Sequence, residues 1–567
     1  MDRPAGRIGR RQPKKEADVD RPRIGARALA LVATLVVLIA ASILADRLGV
    51  PWRITFASLT GLCLTALGFA AVTSRTLRLS TFRLAGRRLG WSRGGGMMLA
   101  LALGLMLLTG EPLGAAPQAL AAMAGTLAYG LLYAGPLRAA GAASLGGFAL
   151  ARYRSRGLSA LVGLAVLAIC AGLALRAAPQ AVAAFAAIPV MTDDAARFAF
   201  LALLLAMILP GGIASLAAAG VVAILLACAA FGLPAVAVLT GAEAAASEAL
   251  SRLAPALAQP MLMETLGLAA VIASVLAIGG PGAAMRSAGL ARQVSGGAAL
   301  AVLVVAGLAM VLTFSAEHVT RSLGGVPPER LPGLLYAERV RGLITVCGIA
   351  PEDPATVAQA CRPLLQGGNV PAGEIRVVSE TPERWMIAAL DLPASFAALG
   401  LITPAVLLTM LVAALLRIAA ASLIDDLIYR LLPASGSASG RLALHRLAMI
   451  GGGATLTFAL VPPLPGAALH GLAMAAALLP ALVVLPGLSR RANARAIAPA
   501  LLATPVLIAL PLFDVRVAAF SGWGLVAAVA GLTALMLILL PSREAADAHA
   551  AAVLTGQATA PLVEADA

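Results

Sequence analysis

Long apolar runs separated by short polar gaps dominate this chain from residue 25 onward. Runs of about membrane-spanning length fall at 25–45, 53–73, 94–110, 117–137, 157–176, 194–209, 213–232, 262–280, 295–315, 396–418, 447–463, 468–488, 496–512 and 520–540. A straight helix needs roughly 20 apolar residues to cross the hydrocarbon core of a bilayer. The pattern therefore predicts an all-α, polytopic membrane protein of about 14 spans.

The polar gaps are not equivalent. Arg75, Arg78, Arg83, Arg87, Arg88 and Arg93 follow the second run, and Arg138, Arg152, Arg154 and Arg156 follow the fourth. Later even-numbered gaps carry Arg286 and Arg292, then Arg430, Arg441 and Arg446, then Arg490, Arg491 and Arg495. Short cytoplasmic loops hold the Lys/Arg excess, so the even gaps are expected inside. The basic tail 1–24 and the tail 541–567 are then both cytoplasmic, in a bacterial-type inner membrane, with two leading transmembrane helices in 25–73. The first apolar run is too long for a removable leader and reads as a retained helix.

One segment breaks the pattern. Residues 316–395 are polar and of mixed charge, and their odd-numbered gap places them outside as an extracytoplasmic loop subdomain. Pro354 to Leu365 reads there as a short helix, and Ile375 to Ser379 followed by Trp385 to Leu390 reads as paired strands. The segment holds Cys347 and Cys361, whereas Cys63, Cys170 and Cys228 fall within apolar runs. In an oxidising compartment the two can close a loop of about 15 residues, a constraint of about 3 kcal/mol; the other reading is two small buried thiols.

Composition narrows the class: 60% of residues are hydrophobic and 12% charged, with mean hydropathy +0.93. The net charge of +15 sits in arginines beside apolar runs, where membrane topology and anionic lipid headgroups account for it, so no nucleic-acid partner is expected. Ionisable residues in membrane helices are the default functional hypothesis, and few are visible. Arg417, near the cytoplasmic end of the tenth run, and Glu264, at the outer edge of the eighth, are placed to anchor at the interface, and Arg417 to snorkel. His318, His445, His470 and His549 are dispersed without metal-ligand spacing, and no phosphate-cradling loop or Gly-x-Ser-x-Gly nucleophile turn occurs. Neither a proton relay of buried carboxylates nor an enzyme with a resident cofactor or metal is expected. Gly104, Pro404 and Pro210-Gly211-Gly212 interrupt apolar runs, which is read either as helix breaks lining a cavity or as close helix packing.

Five ordered fragments add a family resemblance. Phe82-Arg83-Leu84-Ala85-Gly86-Arg87-Arg88 resembles the Phe-x-x-Ala-Gly-Arg signature of sodium:solute symporters. Gly135-Pro136-Leu137-Arg138-Ala139-Ala140-Gly141, with Phe148 and Ala151-Arg152-Tyr153, is similar to that family's next cytoplasmic stretch. Pro210-Gly211-Gly212-Ile213-Ala214-Ser215 resembles its Gly-Gly-x-x-Ser turn, Asp426-Leu427-Ile428-Tyr429-Arg430 the end of its ion-site helix, and Arg490-Arg491-Ala492-Asn493 with Ala496 a later loop. The order holds over about residues 75–540 and is nearest the cation/acetate symporter branch. The resemblance implies an inverted-repeat, LeuT-like ten-helix core with additional flanking helices. Its first part is 94–315 and its second 396–488, with 316–395 as a gate loop and 489–540 as two trailing transmembrane helices.

The positions that the family uses for sodium depart from its pattern. Leu101, Ala102, Gly104 and Leu107 stand in the register of a polar first core helix, and Met410 and Leu411 replace a hydroxyl pair, leaving Gly104, Thr409 and Met410 as the candidate ion or substrate positions. In the sixth core helix Gly267-Leu268-Ala269-Ala270 replaces a Gly-Leu-Pro-His element. Sodium prefers oxygen ligands, so the resemblance implies secondary transport of a small solute, such as the monocarboxylate acetate, with Na⁺ coupling altered or lost. The alternative class is a non-transporting homologue that acts as a receptor, sensor or assembly subunit with a membrane or signalling protein partner.

Overall fold

The computed structural model describes residues 48–87, 89–108, 116–140, 142–232, 259–279, 323–331, 333–336, 344–365, 368–371, 374–377, 394–431, 437–458 and 466–488, with isolated positions elsewhere. The expected spans 25–45, 295–315, 496–512 and 520–540, both tails and the strand expected at Trp385–Leu390 lie outside these residues, apart from isolated positions.

Helices make almost all of the described chain. In order they are α1 (Trp52–Val72), α2 (Leu79–Leu84), α3 (Trp91–Leu108), α4 (Ala116–Ala128), α5 (Ala134–Ala139), α6 (Leu145–Tyr153), α7 (Arg156–Ala186), α8 (Asp193–Ile208), α9 (Ile213–Ala227) and α10 (Gln259–Gly279). They continue as α11 (Pro354–Cys361), α12 (Ala394–Ala421), α13 (Ala438–Phe458) and α14 (Gly466–Val484). Among the described residues six stretches are long and apolar enough to cross a membrane: Arg53–Val72, Trp91–Leu108, Leu120–Arg138, Arg156–Ala186, Ile213–Ala230 and Ala398–Leu431.

Helix starts follow side-chain chemistry. Ser144, Ser155 and Thr192 cap α6, α7 and α8 by accepting from the amides of Gly147, Leu158 and Ala195, and Asp193 and Asp194 place negative charge in the first turn of α8. Between α8 and α9 the Pro210-Gly211-Gly212 turn is required by geometry. Gly212 has φ +58°, and a Cβ there would collide with the Phe82 carbonyl. Ser215 fastens the turn, its Oγ donating to the Met207 carbonyl at 2.7 Å.

The centre of the molecule is α12, whose apolar window is wholly buried. It packs along α7 and against α1, α3, α8, α9 and α13, while α10 pairs with α4 and α14. Of the two readings of the interrupted runs, Gly104 and Pro404 do not break their helices, since α3 and α12 run through them, and Gly104 is a site of close helix packing. Two other readings are corrected. The run 157–176 is only part of α7, which continues through Arg176 and Pro179 for ten more residues because Ala177, Ala178, Ala181 and Phe185 are buried. Arg417 does not snorkel: it is buried, and its Nη2 donates to the Gly279 carbonyl at the end of α10, 2.6 Å away.

The polar segment forms a small mixed unit. Asp353 caps α11 by accepting from the Thr356 amide at 2.7 Å, with Pro354 at the first helical position. Strand β1 (Ile344–Val346) pairs antiparallel with β2 (Ile375–Val377), Thr345 opposite Arg376. The described partner of 375–377 is thus 344–346, upstream of it. Cys347 and Cys361 stand with Cα atoms 5.3 Å apart and their sulfurs bonded, over a buried cluster of Ile344, Val346, Val357 and Val370.

Candidate functional site

Loops from the even-numbered gaps converge on one face. Thr76, after α1, donates its amide to the Pro210 carbonyl at 2.8 Å. Arg446 of α13 bridges both, Nη2 to the Thr76 carbonyl at 2.8 Å and Nε to the Leu209 carbonyl at 3.1 Å. On the same plan α6 meets the end of α14: Arg152 Nε donates to the Gly487 carbonyl at 2.6 Å and Tyr153 Oη to the Val483 carbonyl at 2.7 Å. Burial pushes the Tyr153 phenol well above its ordinary pKa, so it remains a neutral donor there.

At the middle of this face α12 passes into π-helix over Ser422–Ile428. The wider turn carries two buried carboxylates, Asp425 and Asp426, to different neighbours. Asp425 Oδ2 lies 2.9 Å from Arg83 Nη2 and 3.3 Å from Nε2 of the buried His445. Asp426 Oδ1 accepts from Ser144 Oγ at 2.8 Å and lies 3.4 Å from Arg430 Nε. The pair therefore joins four pieces of chain: the α2 turn through Arg83, the start of α6 through Ser144, α13 through His445 and the end of α12 itself.

Backbone shape supports each contact. After Arg83, residues Ala85, Gly86 and Arg87 take φ of 51°, 57° and 55°, a run of left-handed conformation that costs non-glycine residues of order 1–3 kcal/mol each. Phe82, beside Arg83, places its ring 6.2 Å from that of His445 and 5.7 Å from the Arg446 guanidinium carbon. Around Asp426 the chain has only hydrogen where a methyl would fit elsewhere. A Cβ on Gly146 would lie 2.5 Å from Asp426 Cγ, and one on Gly163 would lie 2.6 Å from Asp426 Cβ.

The positions singled out from the resemblance gather elsewhere, at the crossing of α3, α9 and α12. Gly104 is a contact point: a Cβ on it would lie 2.9 Å from the Leu407 carbonyl oxygen and 3.0 Å from Leu411 Cβ. Met410 turns toward α9, where a Cβ on Gly220 would lie 2.7 Å from its Cε and 3.1 Å from the Met97 backbone. Thr409 is buried and donates its hydroxyl to the Ala405 carbonyl at 2.6 Å. A sodium ion needs several convergent oxygens, and these residues offer hydrocarbon and one hydroxyl already engaged with its own helix, so they do not fit one. Among the described residues no group of three or more His, Cys, Asp or Glu side chains converges to hold a metal.

No family model matches the chain, and no curated protein matches it. Its fold is similar to a solved structure described as the substrate-bound outward-open state of a Na⁺-coupled sialic acid symporter, with TM-score 0.60. The match covers 86% of this chain and 98% of that one at 14% sequence identity. The fold is LeuT-like. The membrane-length apolar helices mark the chain as a multi-pass membrane protein, and 14% identity transfers the fold alone, without the neighbour's role or ligands.

The acid pair corrects the expectation that buried carboxylates are lacking. Asp425 and Asp426 stand just past the apolar run 396–418, where hydropathy gives no sign of burial, and His445 belongs to this cluster rather than to a scattered set. The available signal was two adjacent carboxylates followed four residues later by Arg430.

Proposed function

We propose that the protein is a secondary active transporter of a small solute that works by alternating access in a bacterial-type inner membrane, with both termini cytoplasmic. The observation that carries this reading is the Asp425–Asp426 cluster, which ties four separate chain segments of a symporter-like fold together at one face. Ion pairs and a hydrogen bond between separate chain segments form a latch that can release as a unit, which is what one gate of such a transporter requires. The arginine bias assigns this face to the cytoplasm and the Cys347–Cys361 unit to the outside.

Arginine-rich even loops beside the spans favour anionic lipids as the surrounding partners. The solute is a small monocarboxylate such as acetate, nearest the branch that the ordered motifs resemble. Coupling does not run through the α3–α12 crossing, where Met410 and Leu411 place hydrocarbon. No cofactor or catalytic residue enters the reading.

Uptake by purified protein in liposomes tests it. Acetate and other small monocarboxylates, with sialic acid as the solute of the fold neighbour, are offered under imposed sodium, proton and null gradients. Concentrative uptake that Asp425→Asn alters supports the transporter reading. The packing of Met410 onto Gly220 favours a second reading, a non-transporting receptor or assembly subunit, and the absence of uptake under every gradient by protein that still binds solute selects it.

A further inference from the structure

On the face that the arginine bias assigns to the cytoplasm, the start of α3 and the end of α4 bring two like charges together. Arg138 lies in α5, which continues α4 after the π-helical turn Tyr129–Tyr133, and Arg87 ends the left-handed run before α3. Two residues on, the Leu89 amide donates to the Ala284 carbonyl at 3.1 Å and fixes the link to α3. The Arg87 and Arg138 guanidiniums stand close enough for their charges to repel. From Thr73 to Leu108 and from Ala116 to Arg156 the sequence contains no Asp or Glu, so neither stretch can supply a neutralising carboxylate.

An exposed strip leads from this pair toward the lipid tails. Leu127, Leu131 and Gly135 succeed one another along α4, the π turn and α5, all of them exposed and Leu131 by 81%, with Arg138 at the next turn toward the cytoplasm. Gly135 cuts a notch in the strip, since a Cβ built on it meets nothing within 4 Å. Trp91, four residues after Arg87, opens α3 and is 52% exposed, and an indole in that position belongs to the membrane–water interface. Paired positive charge, an interfacial indole and an apolar strip together match the two ends of a phospholipid.

We propose that Arg87 and Arg138 hold the phosphodiester of one anionic phospholipid, of the phosphatidylglycerol type, with an acyl chain laid along Leu131 and the Gly135 notch. Two guanidiniums that repel one another both gain from a shared phosphate, through charge-assisted hydrogen bonds that a fork of N–H donors makes well. The strip selects a lipid over a free phosphate, which has no tail to lay on it. The proposal rests on the reading of anionic lipids as the surrounding partners and narrows that bulk attraction to one site.

The full chain, with Trp52, Trp385 and Trp523 replaced by Phe so that Trp91 alone reports, is reconstituted in phosphatidylcholine bilayers. Quenching of Trp91 by brominated phosphatidylglycerol is compared with quenching by brominated phosphatidylcholine. A saturable preference for phosphatidylglycerol is expected, lowered about fivefold by Arg87→Gln or Arg138→Gln. Gly135→Leu, which fills the notch at an open position, should lower it several-fold, whereas Arg78→Gln, exposed elsewhere on the same face, should leave it unchanged. Native mass spectrometry of the unsubstituted chain, counting retained phosphatidylglycerol against phosphatidylcholine, reads the preference without any tryptophan replacement. A preference that Arg78→Gln lowers as much as Arg138→Gln overturns the site and leaves the bulk attraction standing. No preference for the anionic lipid by either measurement overturns both, and displacement of the brominated lipid by inorganic phosphate overturns the lipid as occupant.

Discussion

Ser144 donates its hydroxyl to Asp426 across 282 positions of sequence at 2.8 Å, while capping α6 with the same oxygen. One side chain therefore holds a helix start and one of the two acids together. Ser144→Ala should cost about 1–3 kcal/mol, more than a helix cap alone, because it also leaves a buried carboxylate short of a donor. Thermal unfolding of Ser144→Ala beside Ser155→Ala, which removes only a cap, measures the difference.

The Arg83–Asp425 contact is the second strand of the latch. Arg83 is 15% exposed, so solvent screens the pair, and a double-mutant cycle of Arg83→Gln and Asp425→Asn should give a coupling of about 1–2 kcal/mol. A coupling near zero would remove this contact from the latch. In the transport assay each single variant should lower concentrative uptake several-fold while solute binding persists.

Gly163 and Gly220 report on two different crossings. Gly163→Ala drives a methyl into Asp426 Cβ, on a short and fixed side chain, and should destabilise by about 1–3 kcal/mol. Gly220→Ala meets Met410 Cε and the Met97 backbone; adding Met410→Ala frees the Cε side and should recover part of the loss, which unfolding of the three variants reads directly.

Thr409→Ala should leave any cation dependence of uptake unchanged, since the hydroxyl is spent on the Ala405 carbonyl. Uptake driven by sodium and abolished by Thr409→Ala would return the coupling site to the α3–α12 crossing.

For the outer unit, non-reducing peptide mass spectrometry should recover Cys347 and Cys361 as one linked pair. Recovery of both as free thiols from fresh membranes would reject the link. With Cys63, Cys170 and Cys228 replaced, cysteine at the exposed Ala438 should label only from the cytoplasm and cysteine at the exposed Ala355 only from outside. Equal access to one side would overturn the layout.

Much of the scaffold is legible in the residue order, because membrane helices announce themselves by uninterrupted apolar runs. The Pro210-Gly211-Gly212 turn is legible for a sharper reason, since only glycine meets both the positive φ and the approach of the Phe82 carbonyl. The latch is not. Asp426 finds Ser144, and Asp425 finds Arg83 and His445, across separations that no local window spans, and the two glycines that make room for Asp426 look like any others in a chain with 57. The same holds for Met410 and Gly220, whose complementarity exists only once α9 and α12 cross. Arg417 misleads differently: a cation near the end of an apolar run reads as interfacial, whereas the end of α10 supplies a carbonyl that draws it inward.

The length of α7 carries one more consequence. Its 31 residues rise roughly 46 Å, against about 30 Å of hydrocarbon. Even at a tilt near 40° the axis covers about 35 Å along the bilayer normal, so part of it must stand clear of the lipid tails. With the arginine-rich start of α7 held at the cytoplasmic face, the protruding part is the far end beyond Arg176, which is apolar yet largely covered by protein. On the proposed orientation that end forms a parapet above the outer leaflet, standing proud of the lipid tails by the length they do not cover.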